Sequence, residues 1–126
     1  MLAHKKHKFS CKVWIEYKGK PVIGKGGAKI LETIEKEKSI SKAAATAGMS
    51  YRYVWNYLQK IQKALGEPIV ETYKGGKSGG GGARLTKLGK DLLSEYKQVE
   101  SYLSEILAES QHVEVKKFEV KRKKPV

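Results

Sequence analysis

From Ser39 to Leu65 the chain reads SISKAAATAGMSYRYVWNYLQKIQKAL, and this stretch constrains the fold more than any other. Ala43, Ala44, Ala45 and Ala47 form the interior of a short helix that Ser39 or Ser41 is placed to cap. Their small side chains let a second helix cross at close range. Gly48 supplies the turn, because a residue there needs a positive φ that glycine adopts without a Cβ clash, and Met49 tucks between the two helices. Ser50 caps the next helix, in which Val54, Leu58, Ile61 and Leu65 recur at spacings of four, three and four, the signature of one buried face. Trp55 is expected to be buried as well. Tyr51, Arg52, Tyr53, Asn56 and Lys60 are left on the wet side. Leu65 and Gly66 close the helix, and Pro68 prevents its continuation. A helix pair of this kind also occurs as a plain packing unit, so the rest of the chain decides what it is for.

The 126 residues are enough for one compact domain with a real core, and too few for that domain plus a full ligand-sensing one. Lys and Arg number 26 against 13 Asp and Glu, a net charge of +13 that makes an anionic polymer the natural partner, with nucleic acid ahead of a membrane surface. No segment approaches the roughly 18 apolar residues of a spanning helix. The N-terminal MLAHKKHKF lacks the apolar run of a signal peptide, which predicts a cytoplasmic, nucleoid-associated protein. The single cysteine, Cys11, makes no intrachain disulfide and reads as a small apolar residue rather than a nucleophile. The Lys- and Glu-rich surface resembles hyperthermophile composition, and the base composition of a genome would bias it the same way.

Residues 1–25 read as a basic segment with a β-strand or hairpin. His4 and His7 are three apart but have no third metal ligand nearby. FSCKVWIEY, Phe9 to Tyr17, alternates with Cys11, Val13 and Ile15 on one face and Lys12, Trp14 and Glu16 on the other, which predicts a strand. Gly19 and Lys20 are expected to turn, and Pro21 to Ile23 to return as an edge strand. Trp14, on the polar face, either covers the flank of the domain or contacts a partner. The glycines of IGKGGAKILETIEKEK lack the spacing of a phosphate-binding loop and read as a flexible lead-in. Ala28, Ile30, Leu31 and Ile34 then make the apolar face of a helix ending near Lys38.

After the helix pair, Ile69, Val70 and Tyr73 read as a strand and Arg84 with Leu85 as its return, joined by KGGKSGGGGA with its six glycines. The loop is a linker or a wing. Lys74, Lys77, Ser78 and Arg84 favour a wing, since they put charge and donors on a backbone free to follow a DNA groove. Thr86 caps a helix over residues 86–110, in which Leu85, Leu92, Val99 and Ile106 recur at sevens with Gly89, Tyr96 and Leu103 between them. Leu88, Leu93, Tyr102 and Leu107 widen that seam, so the helix is expected to pack on its own domain and on a partner at once. Residues 111–126 read as a basic tail with a possible short strand around Val113 and Val115.

AATAGMSYRYVW at 44–55, KGGKSGGGGA at 74–83 and LTKLG at 85–89 together resemble the winged helix-turn-helix of the LysR type, and most closely the N-terminal domain of the ModE molybdate-responsive regulators. The resemblance covers roughly residues 26–105 and implies a dimer joined mainly through the long helices, with recognition helices in successive major grooves. It departs from the full-length family in leaving no room for molybdate-binding domains, so neither molybdate nor any other cofactor is expected. The strand from Phe9 to Tyr17 makes a longer N-terminal extension than the family would imply.

The reading is a mainly α (α+β) chain. It has an N-terminal β-hairpin or strand, a winged helix-turn-helix over 26–85 with its Gly-rich wing, and a long C-terminal dimerisation helix. The expected function is that of a homodimeric, sequence-preferring double-stranded DNA-binding protein and transcriptional regulator. A basic chromatin protein without sequence preference and a protein-binding adaptor working through Trp14 are the alternatives. No catalytic set or metal cluster is apparent. The residues expected at DNA are Ser41, Lys42, Ser50, Tyr51, Arg52, Tyr53, Asn56 and Lys60, with Lys74, Lys77, Ser78 and Arg84 from the wing. Arg52 has the donors for guanine and Asn56 those for adenine. The residues expected at the dimer seam are Leu92, Tyr96, Val99, Leu103 and Ile106.

Overall fold

The computed structural model describes residues 8–75 and 81–110, and the side chain of Ser110 is not part of that description. Its elements are β1 (Ile15–Tyr17), β2 (Lys20–Ile23), α1 (Lys25–Glu37), α2 (Ile40–Ala47), α3 (Tyr51–Leu65), β3 (Val70–Tyr73), β4 (Gly82–Leu85) and α4 (Lys87–Ser110). His4, His7, Lys77, Ser78 and the strand expected near Val113 fall outside the described residues.

The first strand is shorter than its alternation predicts. Residues 8–14 carry no regular structure, and only Ile15–Tyr17 pairs with β2, with a register shift between Ile15 and Glu16. A strand extends only as far as it has a partner, and β2 is four residues long. The turn is Lys18–Gly19, at φ +50° and +78°, and Lys20 already belongs to β2. A two-residue hairpin turn of this hand needs positive φ at both central positions, which moves the turn one residue back from where the sequence placed it.

The glycines before α1 are a second correction. They are no flexible lead-in: Gly24 is the N-cap, and Gly26 and Gly27 lie in the first turn of the helix. A Cβ on Gly27 would stand 1.7 Å from the Tyr57 hydroxyl of α3, so the absence of a side chain lets α3 reach α1. That hydroxyl donates to the Val22 carbonyl at 3.2 Å, tying the first hairpin to α3.

The core lies where α1, α2, α3 and the root of the second hairpin meet. Ile23, Leu31, Ile34, Val54, Leu58 and Ile69 are its most enclosed large side chains. In α2 the interior is Ile40, Ala43 and Ala44, while Ala45 faces solvent. Ser39, not Ser41, caps that helix, accepting from the Lys42 amide at 3.1 Å, and Gly48 ends it at φ +71°.

β3 and β4 form an antiparallel pair, Val70 opposite Leu85 through Tyr73 opposite Gly82. The Gln62 side-chain oxygen accepts from the amides of Ile69 and Val70 at 2.9 and 3.1 Å, fixing the hairpin root to the end of α3. The Ile69 carbonyl accepts in turn from the Thr86 amide at 3.0 Å. Thr86 then caps α4, its hydroxyl accepting from the Gly89 amide at 3.1 Å and donating to the Pro68 carbonyl at 2.8 Å. A Cβ on Gly89 would meet the Ile69 carbonyl oxygen at 2.2 Å, so α4 can leave the hairpin at this angle only with glycine there.

Candidate nucleic-acid interface

Between Ser39 and Gly66 the chain carries no Asp or Glu, but it carries Lys42, Arg52, Lys60 and Lys63. In a protein with 13 carboxylates this leaves α2 and α3 uniformly cationic toward solvent. Val54, Leu58 and Ile61 pin one face of α3 to the core, and the helix period turns Arg52, Asn56, Gln59 and Lys63 to the opposite face, all exposed. Gln59 and Lys63 were not singled out from the sequence, although the same spacing of three and four that groups Arg52 with Asn56 also includes them.

Ser50 caps α3 through its side chain, accepting from the Tyr53 amide at 3.0 Å, and its hydroxyl hydrogen remains a donor toward solvent. Tyr53 and Lys60 are exposed on one flank of that face, and Tyr51 on the other. Trp55 is not buried as expected. It is 39% exposed, and its ring stacks on Tyr51 at 6.2 Å between centroids and 14° between planes. One residue after Val54, it lies about 100° round the helix from the core contact. Its ring borders a small cleft with Ile40, Leu58, Val70 and Thr72, between the helix pair and the second hairpin.

Ser41 and Lys42 are exposed on the first turn of α2. Lys74 is exposed at the end of β3, whereas Lys77 and Ser78 lie outside the described residues. Arg84 is already engaged. Its Nε donates to Glu71 Oε1 at 2.7 Å across the hairpin, and its guanidinium lies 5.1 Å from the centre of the Tyr73 ring. The bond to Glu71 holds the Arg84 pKa above its ordinary value. Glu71, Tyr73 and Arg84 thus form one exposed cluster that stiffens the hairpin stem.

Tyr57 supports the site from behind. Burial, and secondarily the neighbouring Tyr53, push its pKa up to about 12, so it stays a neutral donor to the Val22 carbonyl.

The five residues expected at a dimer seam divide into two groups. Leu92 and Tyr96, at 9% and 3% exposed, are taken up by the core of their own chain, packed with the residues of α1 and β4. Burial raises the Tyr96 hydroxyl pKa, and Glu100 adds to it. Val99 and Ile106 are 45% and 51% exposed, Tyr102 is 58% exposed, and Leu103 is half-buried. Lys97 pairs with Glu32 of α1. The helix therefore leaves its own domain a little past Lys97.

Among the described residues no helix is long and apolar enough to cross a membrane, and no cluster of three or more His, Cys, Asp or Glu could hold a metal ion.

Residues 27–90 match the description "bacterial regulatory helix-turn-helix protein, lysR family". The molybdenum-pterin-binding protein MopB of Rhodobacter capsulatus is 37% identical over 79 residues, which span 63% of this chain and 29% of that protein. The DNA-binding transcriptional dual regulator ModE of Escherichia coli K12 is 39% identical over 67 residues, 53% of this chain and 25% of that one. The chain thus spans a third or less of the length of the relatives it matches. Among solved structures, the BenM DNA-binding domain in complex with catB site 1 DNA matches with a TM-score of 0.50 and 15% identity, over 67% of this chain and 87% of that one. The CbnR DNA-binding domain in complex with DNA matches with a TM-score of 0.51 and 17% identity, over 67% and 90%. At that identity the likeness is one of fold: a winged helix-turn-helix followed by a long helix.

Proposed function

This chain belongs to the lysR family of bacterial regulatory helix-turn-helix proteins, and from that premise we propose that it is a transcriptional regulator that binds double-stranded DNA with sequence preference. It acts as a homodimer, with α3 in the major groove and the β3–β4 wing on the backbone or in the minor groove. One observation carries the reading: the exposed face of α3 sets Arg52 and Asn56 side by side on a helix pair without a single carboxylate. The cations supply phosphate affinity of any sequence, while a guanidinium and an amide supply bidentate pairing to guanine and adenine. Two relatives point the same way, since ModE of Escherichia coli is named a DNA-binding transcriptional regulator and BenM was solved on a DNA site.

In this reading Ser50 and the Tyr51 and Tyr53 hydroxyls bind phosphates flanking the bases, with Ser41, Lys42 and Lys60 beside them. Lys74, Lys77, Ser78 and the outer nitrogens of Arg84 serve the wing. The dimer forms through the part of α4 beyond its own core, where Val99, Leu103 and Ile106 meet their copies, and the protein resides on the nucleoid.

The test is selection of bound sites from a random duplex library, followed by titration of the selected site and of a scrambled duplex at several salt concentrations. A shared palindrome bound at least ~10³-fold more tightly than the scramble supports a regulator. Equal affinity for both would show a DNA-coating protein instead.

A further inference from the structure

A groove among the described residues lies away from the α3 face. It is about 940 Å³ in volume and runs between the N-terminal arm, residues 10–14, and the distal half of α4. Val13 and Trp14 line it from the arm and Tyr96, Leu103 and Leu107 from α4, with the glycine-rich first turn of α1 contributing Gly24 and Gly26. The exposed Val99, Tyr102 and Ile106 continue the apolar strip round α4 from the groove's edge.

Charge says what fits. Lys12, Lys25 and Lys29 line the groove and form none of the ion pairs found among the described residues, where Glu100 is the only carboxylate in the lining. The distal half of α4 is the reverse: residues 98–110 hold Glu100, Glu105 and Glu109 and no Lys or Arg, in a chain of net charge +13. An apolar helix edged with carboxylates is complementary to an apolar groove edged with lysines.

We propose that this groove receives the distal half of α4 from a second copy of the chain, so that the arm of each protomer closes over the helix of its partner. The inference rests on the homodimer proposed above and adds the arm to its interface. A two-fold arrangement makes the contact isologous: each α4 is at once the wall of one groove and the occupant of the other. Trp14 is the anchor. Its ring is 51% exposed in the single chain and is held by a hydrogen bond from Nε1 to Glu16 Oε2 at 2.8 Å, so little freedom is left to lose on contact.

Cys11, exposed and the chain's single cysteine, lines the groove and makes the test direct. Tyr102→Cys places a second thiol on the side of α4 turned away from its own groove. Mild oxidation of the full chain should then give a covalent dimer on a non-reducing gel, and Cys11→Ser in the same background should abolish it. Trp14→Ala, at a side chain outside the core, should weaken self-association by roughly tenfold or more in sedimentation. A dimeric protein that gives no Cys11-dependent crosslink, or whose association ignores Trp14→Ala, overturns the arm contact and leaves the α4 dimer standing. The latter is also the result expected if the groove holds another segment of its own chain. A protein that sediments as a monomer at tens of micromolar overturns both.

Discussion

Arg52 and Gly89 show how differently single residues contribute to this molecule. Arg52 is exposed near the start of α3 and takes no part in the core, so its replacement should be silent in the free protein and costly on DNA. Arg52→Ala is expected to weaken binding to the selected site by about 1–3 kcal/mol while leaving the melting temperature and the affinity for scrambled duplex nearly unchanged. Equal loss on both duplexes would make Arg52 a phosphate contact. Gly89 inverts that pattern. Glycine to alanine inside a helix normally gains stability, but here the new methyl would meet a backbone carbonyl, that of Ile69, at 2.2 Å. Gly89→Ala should therefore cost about 1–3 kcal/mol in denaturant unfolding. A stabilised variant would mean that α4 shifts freely on the wing root.

Elements were legible in the sequence wherever one chain segment determines its own shape. The α2–turn–α3 unit could be read from its alanines, its two serine caps and Gly48, since capping and helix period are local. Contacts between segments far apart were not legible. Gly27 looked like slack because its reason, the Tyr57 hydroxyl, sits thirty positions away. β1 looked long because alternation reports a face and says nothing of the partner's length. Trp55 looked buried because hydrophobicity alone does not reveal that its place on the helix is a flank, where Tyr51 covers one side of the ring. Among the site residues, Ser50, Tyr51, Arg52, Tyr53 and Asn56 do share one end of α3, while nothing in the pattern announced that Arg84 would pair with Glu71. Tyr57 offers a test of the packing it controls. Its pKa is raised from the ordinary 10.0 to about 12 in the folded chain, so the folded state is the one that keeps the proton. The stability this contributes is complete below pH 10 and is lost as pH rises toward 12. Tyr57→Phe should unfold more readily than wild type at pH 7, through its lost hydrogen bond, and should show a shallower loss of stability between pH 10 and 12. Parallel pH curves for the two proteins would show that the hydroxyl is not enclosed.

At the scale of the whole molecule, α4 is divided along its length. Leu92 and Tyr96 complete the domain, while Val99 and Ile106 lie beyond it. Changing Val99 and Ile106 together to glutamate should raise the dimer dissociation constant at least ~100-fold, because each charge would enter an apolar seam, yet leave a folded monomer. Its affinity for the full selected site should fall with it, since one protomer reaches only one half-site. A dimer that survives the double substitution would move the interface elsewhere. The knot around Ile69 bears on what such a dimer could bind. The peptide unit that joins Ile69 to Val70 is held by Gln62 at the end of α3, by Thr86 at the start of α4 and by the bare face of Gly89. The end of α3, the root of the second hairpin and the start of α4 are thus braced on one another. In the proposed dimer such bracing would hold the two recognition helices at a fixed pitch along the double helix. If two copies pair through α4 as proposed, an operator whose halves are moved apart by one base pair should fall out of phase with both recognition helices at once, which titration of spacing variants of the selected site would check.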